Sequence, residues 1–255
     1  MRTFHFTAPN FALALAALAS LTSGCFGNDP LGLDGDWSNG ERNNTQWQIG
    51  DGLCPGLAGG CALNVPLAVG VRMTLNVEGV HSATPTVNTP PNTTDVSIRG
   101  DAENQRATIT FTATAPGSAH FVISDASGEV DSATLQVRVP TRIDCGVFAR
   151  AEPRWDFNGI SFAESVAVPL NTENSNSSDF SLGCRTTDAT GAALLSADAI
   201  RWTLSSGTSV RLNDDNFDSS SVVGARVYFQ TLALGTSEAR VTFGDLTDTF
   251  AITVN

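Results

Sequence analysis

Apolar and polar residues alternate along most of this 255-residue chain, in short runs separated by turn-forming residues. Val69, Val71, Met73, Leu75 and Val77 interleave with Gly70, Arg72, Thr74, Asn76 and Glu78, the period-two pattern of a strand with one face on a core. Ala107, Ile109, Phe111 and Ala113 alternate with threonines in the same manner. Further along, Val166 to Leu170, Phe180 to Cys184, Ile200 to Leu204 and Val223 to Phe229 each place apolar residues on every second position and predict strands. Pro85, Pro90 and Pro91 make the stretch from His81 to Thr94 a loop or a broken edge strand, because proline cannot donate to a ladder. No segment outside the N-terminus carries a helical period.

One hairpin is written twice. Gly117-Ser118 is followed by Phe121 and Ile123, and Gly235-Thr236 by Ala239 and Val241, at the same offsets from the glycine. Asp131-Ser132 then leads into Ala133, Leu135 and Val137, and Asp248-Thr249 into Phe250, Ile252 and Val254. The duplication predicts an all-β protein of two tandem β-domains, over residues 62–140 and 141–255. The length suits two small cores.

The N-terminus reads as an export signal. Arg2 supplies a charged start and Phe11 to Leu21 an apolar run too short to span a bilayer as a mature helix. Leu21-Thr22-Ser23-Gly24-Cys25 resembles the lipobox of bacterial lipoproteins, with small residues before a cysteine that is diacylated after cleavage. The resemblance implies a signal peptide over 1–24 and a membrane partner reached through a lipid on Cys25. Each acyl methylene buried adds about 0.8 kcal/mol, so two or three chains suffice as an anchor. Phe26 follows in place of the aspartate that holds many enterobacterial lipoproteins at the inner membrane, which points to the outer membrane.

Cys54, Cys61, Cys145 and Cys184 form an even set suited to an oxidising compartment, and four cysteines allow three pairings. Cys54 with Cys61 and Cys145 with Cys184 keeps each pair within one module. A metal site is not expected, since neither a C-x-x-C pair nor a neighbouring histidine accompanies them. Residues 25–61 are rich in Gly, Asn and Asp and read as a flexible tether holding a small cysteine loop, with Gln46 to Ile49 the one candidate strand. Trp37 and Trp47 stand out there: each could stack on a sugar ring, or pack against the first sandwich. Two oxygen-rich runs, Asp34 to Ser38 and Asn213 to Asp218, lack the closing carboxylate of a calcium loop and read as solvated turns.

Charge and chemistry narrow the function. The formal net charge is −12, lysine is absent and the arginines are scattered, which argues against nucleic acid as a partner. Nucleophile elbows, phosphate loops, zinc-binding helices and suitably spaced carboxylate pairs do not occur in the sequence. His120, on the first hairpin, would matter to a hydrolase only in a deep pocket beside an acid. The chain therefore reads as a non-enzyme without a cofactor.

A strand ending Thr186-Thr187-Asp188-x-x-Gly191, a tryptophan strand at Trp202 and a Gly235-Thr236 strand before a last alternating strand resemble bacterial immunoglobulin-like (Big) domains, from about Val65 onward. The resemblance implies two tandem immunoglobulin-like β-sandwiches, and the second departs from the family's pattern by an extra loop at Asn171 to Ser178 and by Cys145 and Cys184. The resemblance implies beads that space, display or bind. The expectation is a lipid-anchored cell-envelope protein with a structural, spacer or adhesion-type role, its partner an envelope or extracellular protein or a glycan. Its alternatives are an accessory subunit of an envelope assembly, a glycan-binding module or, last, a hydrolase.

Overall fold

The computed structural model describes residues 37–50, 63–148, 161–171, 180–196, 199–218 and 224–255. The described residues form four sheets, two to each sandwich. In the first sandwich β1 (Ser38–Asn39), β2 (Gln46–Ile49), β4 (Arg72–Glu78), β7 (Arg106–Ala113) and β6 (Thr93–Asp101) run side by side. The facing sheet orders β3 (Leu67–Ala68), β9 (Gly128–Arg138), β8 (Gly117–Asp125) and β5 (Thr86–Val87). The second sandwich repeats the plan. Its larger sheet orders β11 (Ser161–Phe162), β10 (Arg142–Phe148), β13 (Phe180–Thr187), β17 (Gly224–Thr231) and β16 (Val210–Asp218), with β14 (Ala193–Leu194) beside β13. Opposite lie β12 (Ser165–Val168), β19 (Leu246–Val254), β18 (Gly235–Phe243) and β15 (Arg201–Ser206). In each sandwich a short strand, β3 or β12, runs parallel to the last one, and the other pairings are antiparallel, an immunoglobulin-like arrangement.

The duplicated hairpins fall in one register. Gly117 pairs with Val137 and Gly235 with Val254; Ile123 lies across from Asp131 and Val241 from Asp248. Alternation then delivers Phe121, Ile123 and Leu135 to the first core and Val241, Phe250 and Ile252 to the second. Phe111 and Phe121 meet with ring centroids 4.7 Å apart, and Trp202 sits edge-on to Phe229 at 6.2 Å. Each large side chain sealed this way contributes about 1.5–3 kcal/mol.

The tether expectation needs correction. Trp47 and Ile49 are fully buried in the first core, and β2 pairs with β4 through Trp47 opposite Val77 and Ile49 opposite Leu75. The first sandwich therefore takes in strands upstream of Ala62. The Gly- and Asn-rich turn that suggested a tether is the bend of a hairpin, joining β1 to β2.

Three further strands depart from the reading of the sequence. β6 carries Asp95 at φ 53° and a register shift between Thr94 and Ser97, which breaks its alternation. β10, for which the sequence shows no alternation, begins at Arg142 and holds Cys145 within it, ahead of the expected strand at Val166. β16 takes in Asn213 to Asp218, so that oxygen-rich run belongs to a strand with a register shift and is not a turn. The first strand run is also shortened: Gly70, at φ +93°, turns the chain between β3 and β4.

The sandwiches are joined by more than covalent chain. Leu195 pairs with Leu67 as a parallel bridge, its N–H reaching Pro66 O at 2.9 Å and its carbonyl accepting from Ala68 N at 3.1 Å. Its side chain is sealed into the first core although its neighbour Leu194 belongs to the second. Arg138 Nη1 lies 2.7 Å from Asp188 Oδ2 across the same junction.

Candidate functional site

The densest polar constellation surrounds Asp131. Its side chain is fully buried at the edge of the first sandwich, and the hairpin bend of residues 40–45 closes over it. Oδ1 accepts from the backbone N–H groups of Arg42 and Ser132, each at 2.8 Å. Oδ2 accepts from the N–H groups of Asn44 and Thr45 and from the Thr45 hydroxyl, each at 2.9 Å. A side chain at position 40 would meet the carboxylate: a Cβ there would stand 2.3 Å from Oδ2, so glycine is required. Burial pushes the Asp131 carboxyl up, but the donors from Arg42, Ser132 and Thr45 outweigh it and leave the group below the usual carboxylate range.

Around the outside of this clasp Glu41 reaches the hydroxyls of Thr134 at 2.9 Å and Ser132 at 3.2 Å. His120 Nδ1 lies 3.0 Å from Thr134 Oγ1 and 3.4 Å from Glu41 Oε1. A hydroxyl, a histidine and an acid are thus together, as a hydrolase would require. Their geometry is wrong for proton relay, because hydroxyl and acid share one ring nitrogen, whereas a triad places them on opposite nitrogens. The group also lies on an exposed strand face. It is a surface hydrogen-bond network that pins the hairpin.

Trp47 is not a ligand platform. Its ring is in the core and its indole N–H donates to the Thr45 hydroxyl at 2.7 Å, joining the core to the clasp. Trp37 is half-buried, beside Ser38, whose hydroxyl accepts from Leu63 N at 3.1 Å. Cys145 and Cys184 are disulfide-bonded and directly opposite in adjacent strands of one sheet, Cα atoms 4.1 Å apart. This differs from the antibody arrangement, in which the bond crosses between sheets. Met1 to Gly24, Cys25, Cys54, Cys61 and residues 172–178 of the predicted Asn171–Ser178 loop lie outside the described residues. Among the described residues no three His, Cys, Asp or Glu side chains are grouped to hold a metal ion.

Sequence reasoning singled out the Asp131-Ser132 pair as half of a repeat but not as the centre of the clasp. The available signal was the run Gly40 to Thr45, whose short polar residues favour backbone-exposing turns.

No family model matches the chain, and neither does any curated protein. Among solved structures, invasin, a bacterial integrin-binding protein, is 13% identical, with a TM-score of 0.33 over 85% of this chain and 41% of that one. The Escherichia coli adhesin FdeC is 13% identical, with a TM-score of 0.31 over 87% of this chain and 65% of its own. Domains 5-6 of the S-layer protein SbsC are 17% identical, with a TM-score of 0.30 over 75% and 93%. Likeness at this level carries nothing about function, and the fold described above rests on the strand register of this chain.

Proposed function

We propose that this chain is a lipid-anchored protein of the bacterial cell envelope, built of two Big-like domains that space or bind and perform no catalysis. In this reading residues 1–24 are a signal peptide, Cys25 bears the lipid, and the outer membrane is the site of anchoring. The observation that carries the spacer role is the seal at Leu195, which gives the second sandwich a residue in the core of the first. A junction made by a buried leucine, two backbone hydrogen bonds and an ion pair holds an orientation better than a bare linker would. The Nδ1 geometry of His120 supports the absence of catalysis. Burial of Trp47 removes one of the two aromatic rings on which a glycan-binding reading rested.

Membrane fractionation of cells expressing wild-type and Cys25→Ala protein, with intact-cell cross-linking and mass spectrometry, tests the anchor and finds its neighbours. The wild type is expected with the membranes and the variant in the soluble fraction; a variant that stays membrane-bound overturns the lipid tether.

A further inference from the structure

Three segments carry the N-x-S/T spacing at which an asparagine can accept a sugar: Asn43-Asn44-Thr45, Asn92-Thr93-Thr94 and Asn176-Ser177-Ser178, the last outside the described residues. The fold treats the first two in opposite ways. Asn92 is buried, and its Nδ2, the atom that a sugar would join, donates to Ala115 O at 3.3 Å. Asn43 is exposed in the bend between β1 and β2, its own N–H closing a turn onto Gly40 O at 3.0 Å. Its backbone takes φ 57°, a left-handed conformation that asparagine accepts more readily than most residues. The clasp on Asp131 uses the N–H groups of Arg42, Asn44 and Thr45 and the Thr45 hydroxyl, and leaves the Asn43 carboxamide without a hydrogen-bond partner among the described residues.

We infer that Asn43 is a glycosylation site, its Nδ2 bearing an oligosaccharide that is added to the exported chain. The donor is a sugar activated as a diphosphate ester. Because transfer takes place outside the cytoplasm, that diphosphate is held on a membrane lipid and not on a free nucleotide. Nδ2 bonds to the anomeric carbon of the first sugar as the bond from that carbon to the phosphate oxygen breaks. The lipid diphosphate leaves with the electron pair, and the carboxamide gives up one proton. The step needs no oxidant or reductant.

The ground beside Asn43 suits a sugar. β1, β2 and β4 bring Asn39, Gln46 and Glu78 into one cross-strand row, and with Asn44 they line a groove of about 360 Å³ that Asn43 borders. Carboxamides offer both donors and acceptors to sugar hydroxyls, so the first sugar has a polar floor to lie on. Thr45 sets the timing. Its hydroxyl, part of the acceptor motif, is buried and committed to Asp131 and Trp47 once the clasp closes. Transfer therefore precedes closure, and the closed bend then carries the glycan in solvent, since no clasp bond uses the modified side chain.

The inference rests on the export proposed above, and its test is separate from that of the anchor. Wild-type and Asn43→Gly protein, each recovered from the native cells, are cleaved after arginine and mapped by mass spectrometry. Glycine suits the positive φ and leaves every clasp donor in place. Arg72 separates Asn43 from Asn92, so the two fall on different peptides. Carbohydrate mass is expected on the wild-type Asn43 peptide, lost from Asn43→Gly and absent from the Asn92 peptide. An unmodified Asn43 peptide from the wild type overturns the site, and carbohydrate on Asn92 overturns its selection by burial. Carbohydrate on Asn43 in a chain expressed without residues 1–24 overturns addition after export. A membrane-bound chain with bare Asn43 counts against this inference alone, whereas a glycosylated chain in the soluble fraction counts against the lipid anchor alone.

Discussion

Thr45 gives both its backbone N–H and its hydroxyl to a single oxygen of Asp131, 86 residues away in the chain. The same hydroxyl accepts from the indole of Trp47, so a carboxylate at the sandwich edge is tied to the largest side chain in the core. Removing the carboxylate strands buried N–H groups at once. Asp131→Ala is expected to destabilise the first sandwich by on the order of 3 kcal/mol, given about 1–3 kcal/mol for each buried group left unpaired. Urea denaturation measures this, and a change under about 0.5 kcal/mol would contradict the clasp.

Acid should act through the same group. Because the folded carboxyl lies below the unfolded value of about 3.9, the unfolded chain binds the proton more readily. The stability that Asp131 contributes is therefore fully present above about pH 5 and is lost as the pH falls through 4 and below. Asp188 is lowered too, held by the Thr190 hydroxyl and then by Arg138, so it adds a loss of the same sign. The difference between wild type and Asp131→Ala isolates the clasp. That difference in unfolding free energy should shrink between pH 5 and pH 3, and one that stays constant would show that the carboxylate is not preferentially ionised in the fold.

A chain beginning at Ala62 lacks β1, β2 and the clasp. It is expected to fail to fold its first sandwich, while one beginning at Trp37 folds as the whole protein does; circular dichroism with thermal melting separates them. Trp47→Ala in the intact chain should cost about 3–5 kcal/mol, the range for emptying a large aromatic site in a core.

The Cys145–Cys184 bridge takes the place that Trp47 and Val77 hold in the first sandwich. Each pair joins the strand beside the central one, and Val77 and Cys184 both lie opposite an alanine, Ala107 and Ala225. One sandwich fills this position with a bulky ring, the other with a covalent bond. With the cysteines 39 positions apart in the chain, the chain-entropy estimate for the bond is about 4 kcal/mol. Cys145→Ala with Cys184→Val should lower stability by roughly 2–4 kcal/mol, since valine recovers part of the packing. Peptide mapping without reduction should recover the two cysteines on linked peptides.

Leu195→Ala tests the junction. Emptying this site should cost roughly 2–5 kcal/mol of docking, and small-angle scattering should then report a broader spread of inter-sandwich distances. Arg138→Ala is expected to do far less, about 1 kcal/mol or under, because the arginine is half-exposed and its pair is screened by solvent. Comparable broadening in both variants would shift the weight from the leucine to the ion pair.

The sequence by itself determined what is local. Period-two alternation and the glycine and aspartate spacings of the hairpins name the strands from Arg106 to Arg138 and from Gly235 to Val254, because side chains on a pleat must alternate between core and water. A strand hides when its alternation is broken by a register shift, as in β6 and β16, whereas β2 is legible as a strand but its turn-forming neighbours disguise its membership of the first sandwich. Only the tertiary structure decided that Gln46 to Ile49 lies beside Leu75 and Val77, that Asp131 is buried while its repeat partner Asp248 is open, and that Leu195 serves the core of the other sandwich. Each of these is a contact between segments far apart in the chain. No local pattern records such a contact, since its free energy arises only when desolvation and hydrogen bonding at both ends are satisfied together.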